Sequence, residues 1–263
     1  MIKLIIYALV IVSANILGAI SGLGGGSIIK PVFDFLGFHS LVEISFYSSV
    51  AVFIMAIAST IKQIQMKSSI NYQVAVGISS GSIIGGVLGS IVFASLLNST
   101  KNELFVNLIQ IIIIIITLIF SYLYSKQPVS LNLTISYGKS ISIGVVLGFL
   151  ASFLGIGGGP LNVALLMLIY ALSIKEATIY SILSIIFSQG SKLLNEILNA
   201  SYLSYDLKPL PLIIVSALIG GTLGAYCNKK CNSDTVKKVY QSIIAVIFFI
   251  NITNAIKIIG QLF

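Results

Sequence analysis

Two glycine clusters carry the strongest chemical signal in the sequence: Gly22-Leu-Gly-Gly-Gly26 followed by Ser27, and Gly155-Ile-Gly-Gly-Gly159 followed by Pro160. Each precedes a short apolar stretch, Ser27 to Phe38 and Pro160 to Leu172, well under the roughly 20 helical residues that cross a bilayer. A glycine cluster that opens a short helix leaves several backbone N–H groups unpaired at membrane depth. No water competes for them there, and the helix dipole adds a partial positive charge. That chemistry suits an anion. Ser27 stands where an N-cap is expected, its hydroxyl free for a backbone N–H or a ligand oxygen, and Pro160 suits the first turn of a helix. Two such half-helices facing each other would bracket one substrate between Gly24, Gly25, Gly26 and Ser27 on one side and Gly157, Gly158, Gly159 and Pro160 on the other.

Further polar residues lie close by in the sequence. Lys30, one turn into the first short stretch, either faces the substrate, pairs with Asp34 at i+4 or snorkels to the interface. The second half has Val163 at that position and Asn162 one before it, so an anion-pairing role would be asymmetric. Ser48 and Ser49 on the next run, with Ser181, Ser184, Ser188 and Gln189 in the second half, offer hydrogen bonds to a ligand or to their own helix backbone. Glu43 and Glu176 stand at run starts, where capping is the expected role and proton coupling the alternative; His39 lies in the short connection before Glu43. Cys227 and Cys231 read as two reduced thiols at a helix end, with no second ligand pair for a metal. The clusters lack the lysine-serine ending of a phosphate-binding loop, and no carboxylate pair or nucleophile-histidine motif occurs, so an enzyme is not expected.

The elements that must position these residues are membrane helices. The 263-residue chain is 57% hydrophobic and 8% charged, with a mean hydropathy of +1.08, beyond what a soluble domain of this size can bury. Its formal charge of +8 comes from lysines scattered between apolar runs, without the basic stripe of a nucleic-acid binder. Long apolar runs occur at 4–21, 42–61, 73–97, 104–124, 140–155, 177–198, 209–227 and 236–260. The first resembles a signal peptide ending near Ala19, but it belongs to an internal repeat, which argues for its retention.

The repeat is direct: residues 22–48 align without gaps on 155–181, matching both glycine clusters, Ser40 with Ser173, Glu43 with Glu176, and Tyr47-Ser48 with Tyr180-Ser181. Farther on, Gly85, Gly86 and Gly89 match Gly220, Gly221 and Gly224, for which close helix packing is the expected role. The expectation is an all-α polytopic membrane protein of two homologous four-helix repeats, 1–126 and 137–263, joined by a linker at 127–136. Each repeat contains a Gly-rich break and a short half-membrane helix. If the first run of each half and its short partner form a hairpin on one side, three crossings remain per half and the halves are inverted. Lys62, Lys67, Lys126, Lys139, Lys175 and the Lys229 to Lys238 cluster then share one face, leaving Lys3, Lys101, Lys192, Lys208 and Lys257 for the other. The positive-inside rule favours this arrangement over a parallel one, in which the Lys229 to Lys238 cluster changes sides.

On the two Gly-x-Gly-Gly-Gly clusters, with Ser27 and Pro31 after the first and Pro160 after the second, the chain resembles the sulfite exporter TauE/SafE family of permeases. The resemblance implies a bacterial inner-membrane transporter of small sulfur-containing or organic anions, often outward; family members often carry a proline in both halves, and Ala164 stands opposite Pro31 here. The expected partners are a small anionic substrate and the bilayer, with a proton or sodium ion to couple transport and no cofactor. Cation transport by the same fold, a passive channel, and a non-transporting membrane scaffold are the competing functions.

Overall fold

The structure is a computed structural model that describes residues 2–66, 71–126 and 136–262. These form α1 (Ile2–Ser21), α2 (Gly26–Leu36), α3 (Leu41–Gln65), α4 (Tyr72–Thr100), α5 (Glu103–Lys126), α6 (Tyr137–Phe153), α7 (Pro160–Tyr170), α8 (Ile174–Leu198), α9 (Leu210–Lys230) and α10 (Ser233–Leu262). No strand occurs among the described residues. Most of the expected linker lies outside them.

Among the described residues six helices, α1, α3, α4, α5, α9 and α10, are long and apolar enough to cross a membrane. The other two long sequence runs behave differently for identifiable reasons. The run at 140–155 forms α6, which ends after 17 residues because the second glycine cluster breaks it. The run at 177–198 lies in α8, which has 25 residues but carries Lys192 and Glu196 inside its apolar stretch.

Local chemistry fixes the helix ends. Ser40 and Ser173 each accept a hydrogen bond from the N–H of a glutamate three residues on, Glu43 and Glu176, whose carboxylates in turn accept from the serine N–H. Both glutamates therefore cap, and Glu43 also accepts the Asp206 N–H at 3.1 Å. Gly37 closes α2 in the left-handed conformation, its N–H on the Phe33 carbonyl.

The helices α1 and α2 form a hairpin. The Lys3 ammonium lies 4.7 Å from the centre of the Phe38 ring and Tyr7 stacks on Phe33 at 4.0 Å, so the start of α1 is beside the end of α2. Likewise the start of α6 meets the end of α7, with the Ser140 and Tyr170 hydroxyls 2.7 Å apart. Packing follows a paired pattern. Helix α4 lies along α6 and α9 along α1; α3 packs on α9 and α8 on α4; α5 packs on α7 and α10 on α2. In the middle α3 meets α8 and α5 meets α10.

The close pairs are built on glycine. A Cβ on Gly81, Gly85 or Gly89 of α4 would lie 2.7–2.9 Å or less from backbone of α6, and one on Gly148 would lie 2.5 Å from the Ser82 carbonyl. On α9, a Cβ at Gly220 or Gly224 would run into α1 and one at Gly221 into the Met55 carbonyl, while Gly86 meets the Ser188 carbonyl of α8. In lipid, where apolar burial between helices gains little, such backbone approach supplies the dispersion contacts that hold helices together.

One end of the bundle gathers Lys3, Phe38, the Glu103 carboxylate on the Leu41 N–H, Asp206 beside Glu43, and Lys257 on the Phe35 carbonyl. At the other end Lys175 reaches the Lys229 and Cys231 carbonyls, and Gln241 of α10 reaches Ser125 near the end of α5. Lys192 belongs to neither end. It was expected at a face and is instead 1% exposed in the interior, because α8 turns its Ser181, Ser184, Ser188 and Lys192 side inward.

Candidate functional site

The two glycine clusters form tight turns that meet in the centre of the bundle. Gly22 and its counterpart Gly155 adopt φ of +76° and +66°, and Gly24 and Gly157 adopt +74° and +65°, a region that side-chain-bearing residues rarely occupy. The match ends at the next position. Gly25 is helical (φ −61°) and caps α2, whereas Gly158 has φ +137° and Gly159 is extended and caps α7. Pro160 is the physical reason. Its ring disfavours a helical conformation for the residue before it, so α7 starts one position later in the repeat than α2. Pro160 does occupy the first turn of its helix.

Contact between the turns is direct. A Cβ on Gly26 would lie 2.7 Å from the carbonyl carbon of Ile156 and 2.7 Å from Ser48 Oγ, and one on Gly24 would lie 3.5 Å from the Gly157 carbonyl. The walls are α3 and α8: Val52 against Gly157, Ile185 against Gly158, and Thr178 against Gly22. Among the described residues, the N–H groups of Gly24, Gly25, Gly26, Gly158 and Gly159 donate to no protein acceptor, because the turns bend them away from the preceding helix. Unpartnered backbone donors in a buried, glycine-lined contact are costly unless something occupies them.

Side chains around the turns divide into used and unused. Ser181 is used: its hydroxyl donates to the Gly22 carbonyl at 2.6 Å. Ser27 is not the N-cap expected from sequence, since α2 starts at Gly26 and places Ser27 inside its first turn. Its hydroxyl donates to the Leu23 carbonyl at 2.9 Å and reaches the Gly158 carbonyl at 3.4 Å, tying one turn to the other. By contrast Ser48 Oγ, both amide atoms of Gln189, both of Asn15 and the Asn162 Nδ2 are buried without a protein partner. Ser48 lies against Gly26, Gln189 against Gly157 and Asn15 against Gly25, while Asn162 shares a small cavity wall with Gly158 and Gly159.

Lys30 is 1% exposed and takes the pairing role: its ammonium is 2.8 Å from the Asp34 carboxylate and 3.3 Å from the Asn107 amide oxygen. Its aliphatic stem passes the second turn, 3.5 Å from where a Cβ on Gly155 would stand. Asp34, Asn107, His39, Glu103, Asn254 and Lys257 line a 270 Å³ cavity, which leads inward from the end of the bundle where α2 finishes toward the Lys30 pair. His39 is 3.6 Å from the Glu43 carboxylate and packs edge-on to Tyr47.

Sequence reasoning missed two residues of the site, Lys192 and Asn15. The Lys192 ammonium donates to Ser45 Oγ at 2.7 Å and to Ser49 Oγ at 2.9 Å, beside the second glycine turn, where a Cβ on Gly155 would strike Ser45. The signal was available: Ser181, Ser184, Ser188, Gln189 and Lys192 recur at helical spacing along one side of α8. Asn15 was equally legible, a lone amide in an apolar run. A cluster of metal-ligating side chains does not occur among the described residues, and Cys227 and Cys231 are free thiols at the end of α9. The site thus combines backbone donors, neutral hydrogen-bonding side chains and one buried ammonium, a donor-rich set that suits an oxyanion.

Comparison with known proteins gives two findings. The profile of the sulfite exporter TauE/SafE family matches residues 7–250. The probable membrane transporter protein YunE of Bacillus subtilis (strain 168) is 31% identical over 118 residues, which cover 43% of this chain and 41% of that protein. The similarity to that relative therefore spans less than half of its length.

Proposed function

The chain belongs to the sulfite exporter TauE/SafE family, a multi-pass membrane transporter, and on that premise we propose that it is a permease for a small oxyanion such as sulfite or a sulfonate. The substrate sits where the two glycine turns meet, held by the free N–H groups of Gly24 to Gly26 and of Gly158 and Gly159, with Ser48 and Gln189 as side-chain donors. The observation that carries this reading is the cluster of unpartnered polar atoms around two facing glycine turns. A cation would find the Ile156 and Gly157 carbonyls there but would also meet the unpartnered glycine N–H groups and the nearby Lys192 ammonium. A scaffold role would leave those donors buried without a purpose.

Transport is by alternating access of two inverted halves in a bacterial inner membrane. Support for the inversion comes from the hairpins: each returns to the end of the bundle it started from, leaving three crossings per half, and the lysine-rich linker face becomes cytoplasmic by the positive-inside rule. The test of the site is a thermal-shift titration of detergent-purified protein with sulfite and methanesulfonate. A ligand that binds only the folded state raises the melting temperature by mass action. Saturable stabilisation by either anion, absent with sodium or ammonium chloride at equal ionic strength, is expected; stabilisation by the cations alone would reverse the assignment.

A further inference from the structure

Lys192 and Glu196 form a pair one helical turn apart on α8 that is poorly neutralised as it stands. Two lysines are buried among the described residues, Lys30 and Lys192, and they differ in this respect. Lys30 has a carboxylate at hydrogen-bond distance, 2.8 Å away. Lys192, also 1% exposed, has two neutral hydroxyls at that distance, and the Glu196 Oε1 stands at 3.9 Å. The second oxygen, Glu196 Oε2, is buried without any partner. A buried ammonium facing neutral oxygens and a buried carboxylate oxygen without a donor are both unfavourable. The first is relieved by an anion beside Lys192, the second by a proton on Glu196.

Resting on the anion-permease reading, we propose that the Lys192–Glu196 pair is the proton-coupling site of the transporter: it carries one proton when the anion site is empty and two when a monoanion is bound. In the empty state the single proton leaves the pair neutral, whether it resides on the amine or on the carboxylate. When a monoanion enters beside the Lys192 ammonium, one proton is taken from solvent onto the carboxylate, so the loaded centre is ammonium, carboxylic acid and anion, again without net charge. Release reverses both steps. One proton thus crosses with each monoanion in the same direction, and the cycle moves no net charge through the low-dielectric interior.

Other titratable and polar groups reach the pair from neighbouring elements. From α2, Lys30 acts on Lys192 through space, with Asp34 beside it. After the 3-10 turn at 201–204, Tyr205 packs against Phe46 and lies within electrostatic reach of Glu196 and of Glu43 on α3. Otherwise α3 and α4 present hydroxyls, Ser45 and Ser49 to Lys192 and Ser90 to the neighbouring Asn195. Glu196 lies one turn nearer the end of α8 and its side chain is 15% exposed, against 1% for Lys192.

The experiment uses full-length protein in proteoliposomes, with sulfite and methanesulfonate as probes; methanesulfonate does not titrate near neutral pH and cannot mimic symport by its own protonation. Net uptake is measured with and without an alkaline interior, and anion-for-anion counterflow is measured without a gradient. The expected result is that the gradient drives accumulation in the unmodified protein, that Glu196→Gln abolishes that response, and that the variant keeps counterflow within about twofold, which also shows that it is folded. Linkage further requires anion affinity to fall up to about tenfold per pH unit over the range in which the pair loses its second proton, and to become pH-independent in Glu196→Gln. Counterflow without any gradient response in the unmodified protein would overturn the coupling proposal and leave the permease reading intact. So would a gradient response retained in Glu196→Gln, or counterflow lost along with it. Absence of both net uptake and counterflow for both probes would instead remove the permease reading itself, and the coupling with it.

Discussion

Replacing Gly26 by alanine adds a methyl group at the one place where the two glycine turns press backbone against backbone. Its Cβ would lie 2.7 Å from the Ile156 carbonyl carbon and from Ser48 Oγ, and closer still to the Ile156 oxygen. Ordinary contact starts near 3.4 Å, so the turns must separate by about 0.7 Å (3.4 − 2.7) or more. The obstructing group is a carbonyl in a glycine turn and not the end of a flexible side chain, so a rotamer change does not relieve it. An oxyanion held between the turns by hydrogen bonds of about 2.9 Å would then have one set stretched to about 3.6 Å, beyond a hydrogen bond. Each charge-assisted donor lost costs about 1.5–3 kcal/mol, a rise in Kd of about 10- to 150-fold. The assay is anion-dependent thermal shift, with Gly138→Ala as control because a Cβ there meets nothing within 4 Å. Gly26→Ala is expected to remain monodisperse while needing at least tenfold more sulfite or methanesulfonate for the same stabilisation. If it binds either anion as tightly as Gly138→Ala does, the turns do not share a ligand.

Three further outcomes are expected. Gly85→Leu in α4 places a side chain into α6 backbone 2.7 Å from the Phe149 N–H, and should collapse the folded yield on size-exclusion chromatography, whereas Gly260→Leu, at an open position, should not. Ser40→Ala and Ser173→Ala each remove one capping box, costing about 1 kcal/mol apiece and lowering the melting temperature additively, with anion affinity unchanged. In a background with Cys227 and Cys231 replaced by serine, single cysteines at Lys3 and Lys257 should react with an impermeant thiol reagent from one side of the membrane and those at Lys126 and Lys175 from the other. Labelling of Lys3 and Lys175 from the same side would contradict the hairpin topology.

Much of this was legible in the sequence for physical reasons. Glycine clusters announce themselves because few other residues adopt the positive φ of Gly22, Gly24, Gly155 and Gly157, and capping boxes because serine and glutamate recur at fixed spacing before apolar runs. The length of α2 and α7 followed from where those clusters interrupt the hydrophobic pattern. What the sequence concealed depended on helix rotation and on distant partners. Ser27 looks like a cap until Gly25 takes that place two positions earlier. Lys192 looks like one more scattered lysine, because its burial depends on α3 supplying Ser45 and Ser49 from 147 and 143 residues away. The orphaned amides of Asn15 and Gln189 point to a site only once the turns they face are seen together.

The most direct test of the central claim, that this chain moves a small oxyanion through the paired glycine turns, is counterflow in proteoliposomes preloaded with unlabelled sulfite or methanesulfonate. The account predicts saturable entry of the labelled anion, accelerated by the internal anion and reduced at least tenfold at subsaturating concentration by Gly26→Ala. Flux that neither saturates nor responds to internal anion, or that is the same in Gly26→Ala, would contradict it.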